Sequence, residues 1–389
     1  MINDLLDKEQ VDLAQIRKIS VVRGLVNSEV RGRVWPLLLG VEPQLSAEAE
    51  EEYLQARCAK HADSAVVECD LQRSLWSFTE GWSDEARDAK RDELRHVLTA
   101  AVCAGGGAGE EEDGEVRYYQ GMHDVAAVLL FEVGERSAYV VLRRLARCQL
   151  RDSTRPAMHA VVELLGLLLP LLRRLDAQLA AHLEGVGLGD GPPVFALAWL
   201  ITWFAHGVPA LPTAARLFDA FLASHPLLPL YAAAAAMKAA RKALLAEEDG
   251  AELHRALTRL DVLGAVGGAD ELARRAAREL HACPPQALLR AERMRLVCST
   301  AAEAYLGEGG RWEVPDKPAA RLRPSSAGAT LAALAGLAAP LLPGRPAAGK
   351  PRGRAAAVAA VASLSSLAAA AVLLAVFARI DPGGTHWRL

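Results

Sequence analysis

The sequence predicts an all-α protein with a single transmembrane helix at its carboxy terminus. Three observations lead there. Apolar residues recur at spacings of three and four instead of alternating, β-branched runs are scarce, and one charge-free stretch, residues 355–378, stands near the end of the chain. At 389 residues with 52% hydrophobic content, the chain has room for one large or two ordinary domains and a sizeable core.

Val11, Leu13, Ile16 and Ile19 open the helical series within an amino-terminal helical extension, residues 1–19. Asn27 suits a helix cap and Glu29 its first turn, in a helix running to about Leu39 and stopped by Gly40. Ser64 is expected to cap a helix with Val66, Val67, Leu71, Leu75 and Phe78 on one face. That leaves Asp70 and Arg73 on a neighbouring face, with the arginine free to point outward. Residues 104–114, glycine-rich and then acidic, read as a flexible insertion, either inert or modulating whatever site lies beside it. The apolar run 125–133 predicts a buried helix that holds the preceding Tyr-Gln-Gly turn at its amino end. Further helices are expected at about 137–148, 158–172, 194–206, 213–224 and 228–246.

Residues 309–354 are dominated by proline, glycine and alanine and read as a linker. Residues 331–342 are apolar but short and broken by Pro340, so they predict no span. As a helix, residues 355–378 would reach about 36 Å, enough for a hydrocarbon core of roughly 30 Å. Half of them are alanine, so a soluble alanine-rich helix is the competing reading; Leu364, Leu367, Val372, Leu373, Leu374, Val376 and Phe377 favour the span. Lys350, Arg352 and Arg354 place its amino side in the cytosol, and residues 379–389 would form a short luminal tail. The expectation is a tail anchor in the thin bilayer of the endoplasmic reticulum.

The formal charge of −3 carries no basic footprint, so nucleic acid is not an expected partner. Six scattered cysteines without a Cys-x-x-Cys pair argue against a zinc site or a disulfide framework and suit a reducing compartment. The amino terminus has acidic residues where a signal peptide carries positive charge. No phosphate-binding Gly-x-x-x-x-Gly-Lys loop, dinucleotide fingerprint, His-Glu-x-x-His helix or Gly-x-Ser-x-Gly elbow is present.

Two segments carry chemistry. Val67-Glu68-Cys69-Asp70-Leu71-Gln72-Arg73 is followed about 45 residues later by Tyr118-Tyr119-Gln120-Gly121. Each alone is bland, since Asp-x-x-Arg on a helix is commonly a surface ion pair. Together they pair a guanidinium that can neutralise a transferred phosphoryl group with an amide that can aim a water. A third segment, Arg23-Gly24 through Arg31-Gly32-Arg33-Val34-Trp35, stands upstream.

In this order the three segments resemble the motifs of TBC-domain GTPase-activating proteins for Rab GTPases. The Trp199–His206 stretch and Arg216-Leu217-Phe218-Asp219 resemble the domain's carboxy-terminal half, with Phe218 where tryptophan is usual. The resemblance implies a TBC-type multi-helix domain of two helical subdomains over residues 20–308. It implies that Arg73 and Gln120 act in trans on a GTP-bound Rab as arginine and glutamine fingers. Asp70 would hold the guanidinium, Tyr119 and Gly121 would shape the turn, and Arg31 and Trp35 would support the site and the fold. It implies no cofactor of the chain's own, with GTP and magnesium bound by the partner. Val67 for isoleucine and Ser74 for threonine depart from the motif without touching the reactive groups. His123 and Asp124 are adjacent on a helix and are expected to cap or pack, not to form a dyad. The domain and span together resemble the tail-anchored subgroup of the endoplasmic reticulum, which acts in traffic to the Golgi. Two other readings stay open: a catalytically silent Rab-binding scaffold, and a membrane protein whose tail carries its function.

Overall fold

A computed structural model describes residues 2–7, 11–42, 44–104, 115–208 and 210–299. The linker, the expected span at 355–378, the luminal tail and residues 105–114 of the insertion lie outside them. Among the described residues there is no β-strand. None of the described helices is long and apolar enough to cross a membrane.

Eighteen α-helices follow in order among the described residues. The first seven are α1 (Ile2–Leu6), α2 (Leu13–Val22), α3 (Ser28–Leu39), α4 (Ala47–Ala56), α5 (Ser64–Gln72), α6 (Asp84–Cys103) and α7 (Met122–Arg147). Then come α8 (His159–Leu165), α9 (Leu168–Leu175), α10 (Ala177–Leu183), α11 (Leu197–Ile201), α12 (Leu211–Leu222) and α13 (Leu228–Ala239). The series closes with α14 (Arg241–Leu245), α15 (Gly250–Thr258), α16 (Val262–Val266), α17 (Ala269–Ala282) and α18 (Pro285–Ala291).

Local chemistry sets several boundaries. Asn27 accepts a hydrogen bond from the Val30 amide at 3.0 Å at the start of α3. Gly40 ends that helix in the left-handed region at φ 65°, where a Cβ would be strained. Burial alternates with helical period along α6, whose Leu94, Val97, Leu98 and Ala101 face α7. The helix expected at 137–148 is the second half of α7, which continues through non-helical dihedrals at Gly134. The helix expected at 194–206 does not form as one piece. It breaks into a 3-10 turn, α11 and a second 3-10 turn, because Trp203 and Phe204 take positive φ. Those expected at 158–172 and 228–246 likewise split, into α8 with α9 and α13 with α14.

The helices gather in two groups: α6 and α3 pack on α7, and α9, α16 and α17 pack on α13. Between them α12 touches α2, α3, α7 and α17, and one continuous core runs through both groups. Phe218 of α12 is fully buried, with its ring centroid 5.3 Å from that of Trp203 and 6.2 Å from that of Trp35. Burying such a side chain contributes about 1.5–3 kcal/mol.

Beside it, Asp219 gathers the amino-terminal motif. Its carboxylate accepts from Arg31 Nε at 3.0 Å, Trp35 Nε1 at 2.9 Å and the Leu25 amide at 2.8 Å. Arg31 also donates to Glu132 of α7 at 3.1 Å and to the Leu25 carbonyl at 3.0 Å. The structure thus places Arg31 and Trp35 together in a knot tying α3 to α12 and α7.

Candidate functional site

Arg73 is the residue at which α5 ends, with φ −100° and ψ 1°. The chain then reverses through Leu75 at φ 70°, a left-handed conformation that a leucine adopts only under strain. Ser74 and Thr79 brace the reversal by donating their hydroxyls to the carbonyls of Leu71 and Leu75, each at 2.8 Å. The result presents Arg73 at the surface, followed by Trp76, which is 55% exposed. The Trp76 ring rests under two guanidiniums, those of Arg87 at 4.2 Å and Arg91 at 5.0 Å.

Asp70 is not on an open face beside Arg73, as the helical period suggested. It is 1% exposed, while Val66, expected on the packed face, is 45% exposed. Asp70 Oδ1 accepts from Arg73, and its Oδ2 accepts from the Tyr118 hydroxyl at 2.6 Å. Burial pushes the Asp70 carboxyl up, but His123, Tyr118 and Arg73 outweigh it and hold the pKa below its ordinary value. Ser64, expected as the cap, is instead the first residue of α5 and its hydroxyl bonds His61. Asp63 before it makes no side-chain cap; it takes both arms of Arg117 at 2.8 and 2.7 Å and the Tyr118 amide at 3.1 Å. Both ends of α5 are thereby bonded to the segment that leads into Gln120.

That segment is a tight turn into α7. Gly121 sits at φ 106°, and a Cβ there would lie 2.8 Å from Thr202 Cγ2, so position 121 requires glycine on two counts. The Tyr119 hydroxyl is buried and donates to the Ile201 carbonyl at 2.9 Å. Gln120 between them is half-buried, and among the described residues its amide has no hydrogen-bond partner. The turn is therefore fixed on both sides while the amide at its tip is left available.

His123 and Asp124 extend the network. His123 Nδ1 lies 3.0 Å from the Tyr118 hydroxyl and 3.3 Å from Asp70 Oδ2, and its Nε2 lies 3.4 Å from Asp124 Oδ1. Asp124 Oδ2 contacts His206 Nδ1 at 2.9 Å. Burial raises the Asp124 carboxyl, but His123 and His206 reverse this and its pKa falls below the ordinary value. The two residues do form neither an isolated dyad nor mere packing; they join Arg73 to His206 through Asp70. Sequence reasoning missed Tyr118, His123, Asp124 and His206 as one unit. The signal was available in a buried helix whose first turn holds a histidine and an aspartate. The hydrogen bonds of Arg31 and Trp35 go instead to Asp219 and its neighbours. Among the described residues no group of His, Cys, Asp and Glu has the arrangement to hold a metal ion.

Among the described residues, which are helical throughout their regular elements, an arginine is exposed at the end of α5 and an amide without a hydrogen-bond partner stands just before α7. The sequence profile of the Rab-GTPase-TBC domain matches residues 28–245, and the chain belongs to that family. Mouse TBC1 domain family member 20 is 31% identical over 261 residues, which cover 67% of this chain and 61% of that protein. The GTPase-activating protein gyp10 of Schizosaccharomyces pombe is 30% identical over 254 residues, covering 64% of this chain and 63% of its own. The chain therefore spans less than two thirds of the length of these relatives. The crystal structure of the Ypt/Rab-GAP domain of Gyp1p superposes with a TM-score of 0.53 at 15% identity, over 72% of this chain and 95% of that domain. At that identity the superposition shows the shared fold.

Proposed function

We propose that this chain accelerates GTP hydrolysis by a GTP-bound Rab-family GTPase, with Arg73 as arginine finger and Gln120 as glutamine finger. The observation that carries the reading is the Asp70 network. One buried carboxylate holds Arg73 on one side and, through Tyr118, the Gln120 turn on the other, while Gln120 itself has no internal partner among the described residues. Arg73 would offset charge developing on the β–γ bridge and leaving oxygen. Gln120 would accept from and donate to the attacking water. GTP and magnesium enter with the GTPase, so the chain needs no cofactor of its own. Asp70 orients the guanidinium, and Tyr119 and Gly121 hold the amide in place. Arg31 and Trp35 act on the fold, through Asp219.

The same reading gives residues 355–378 to a lipid bilayer, with the amino-terminal domain cytosolic, residues 379–389 luminal, and the endoplasmic reticulum as the membrane from which Golgi-directed traffic is regulated. A glycosylation acceptor appended after Leu389 becomes modified if that tail is luminal and stays unmodified if it is not.

Single-turnover GTP hydrolysis by a panel of Rab proteins tests the central claim, using the full-length chain, Arg73→Ala and Gln120→Ala. Acceleration that collapses in both variants is the expected result. Binding of GTP-loaded Rab without acceleration by the wild type would replace the activator by a scaffold.

A further inference from the structure

The two proposed fingers belong to different elements, and one side chain contacts both partners of the Tyr118–Asp70 bond that links them. His123 is 5% exposed, with Nδ1 3.0 Å from the Tyr118 oxygen and Nε2 3.4 Å from Asp124 Oδ1. Proton counting assigns its state. The Tyr118 hydroxyl has a single proton, and at 2.6 Å it goes to Asp70 Oδ2. Its oxygen is left to Nδ1 as an acceptor, so Nδ1 carries a hydrogen. Nε2 lies 3.4 Å from the Asp124 carboxylate, whose negative charge favours a hydrogen there as well. A ring with both hydrogens is an imidazolium.

A neutral ring satisfies these surroundings less well. If Nε2 keeps its hydrogen beside Asp124, Nδ1 presents a lone pair, and the Tyr118 proton is then divided between Nδ1 and Asp70. If Nδ1 keeps it, a lone pair on Nε2 faces a half-buried carboxylate. We propose that His123 is a positioning residue whose charged ring keeps the Tyr118 hydroxyl bonded to Asp70 and so holds the Gln120 turn and Arg73 in one frame. This rests on the two-finger reading above.

The surroundings sustain the charge. Burial, Arg73 at the end of α5 and the amino terminus of α7 all oppose it. Asp124 of α7 and Asp70 of α5 overcome them, and the imidazole pKa rises above its ordinary value. Asp124 is shared with His206 from the Ala205–Gly207 turn. As pH rises through the His123 pKa, the ring proton leaves to solvent, Tyr118 turns its own proton toward Nδ1, and the link between the fingers slackens.

Histidine-selective ¹³C/¹⁵N NMR on the full-length chain reads the charge without a partner, with His123→Gln assigning its signal among the ten histidines. The expected result is a ring protonated at both nitrogens at pH 7 that titrates above an ordinary histidine; a neutral tautomer at pH 7 overturns the assignment. Single-turnover hydrolysis on a GTP-loaded Rab reads the positioning. Tyr118→Phe and His123→Gln each lower kcat roughly tenfold or more with KM nearly unchanged, since a small misplacement suffices. The wild-type kcat falls as the His123 signal titrates, both variants lose that step, and the double variant is no worse than either single one. Tyr118→Phe is the smaller change and carries the test if His123→Gln fails to fold. A folded Tyr118→Phe with wild-type kcat and pH profile overturns the positioning role. If the wild type accelerates no Rab, the two-finger reading falls and positioning falls with it, while the NMR result still decides the charge.

Discussion

Asp70 and Asp219 are both buried aspartates bonded to an arginine, yet one pair is closed and the other is open. Arg31 reaches Asp219 across 188 residues and is itself 7% exposed, with its remaining donors taken by Glu132 and the Leu25 carbonyl. Arg73 reaches Asp70 across three residues, and its side chain remains 35% exposed. A long-range pair with all three guanidinium nitrogens bonded ties elements together, and losing one partner leaves a buried charge poorly paired. A short-range pair at a helix end bonds one nitrogen of the guanidinium while the arginine side chain stays partly exposed. The difference lies in where the helix stops: α3 continues past Arg31, whereas α5 ends at Arg73.

This contrast breaks first if Arg73 matters to folding. Arg73→Ala is expected to lower Rab-stimulated hydrolysis by about 10³-fold or more with the melting temperature unchanged, measured by single-turnover kinetics and calorimetry. Asp219→Ala is the mirror case, expected to cost about 3–5 kcal/mol in denaturant unfolding by removing the buried carboxylate that bonds Arg31, Trp35 and the Leu25 amide, with the rate per folded molecule retained. Gly121→Ala sharpens the boundary between the two. Its positive φ and the contact with Thr202 predict a loss of about 1–3 kcal/mol together with reduced kcat, because the strain falls on the turn that holds Gln120. The smallest effect is in the pH dependence of stability. Asp70 and Asp124 have lowered pKa values, so their contribution is present above the ordinary carboxylate range and is lost as pH falls through their folded values. His123 has a raised pKa, so its contribution is present below the ordinary imidazole range and is lost as pH rises through its folded value. Thermal melting across pH should show the alkaline decline in the wild type and lose it in His123→Gln.

Much of this was written locally. Asn27 and Gly40 mark both ends of α3 because caps act within a few residues, and the apolar run after Gly121 announces α7 for the same reason. The order of the Asp-x-x-Arg and Tyr-Gln-Gly segments singled out two stretches that the fold brings together, through the Tyr118–Asp70 bond. The burial of Asp70 was not legible, since the partner that draws it inward, Tyr118, lies 48 residues away and helical period alone leaves it on a side face. Arg31 was read toward the site, but its carboxylate partner Asp219 comes from the far half of the chain. The break at Trp203 and Phe204 was hidden too. Their rings pack against Phe221 and Trp203 also against Phe218, and that packing overrides the apolar periodicity which suggested one helix.

The joint between α6 and α7 is fastened on both of its banks. Arg147 donates to the Ala104 carbonyl on one side, and on the other Arg151 donates to the Glu115 carbonyl at 3.2 Å and the Arg117 amide to Thr154 at 2.7 Å. With both banks fixed by α7 and the residues just after it, Gln120 is held independently of the chain that joins Ala104 to Glu115. The same joint is where an engineer would splice in a reporter or a light-responsive module.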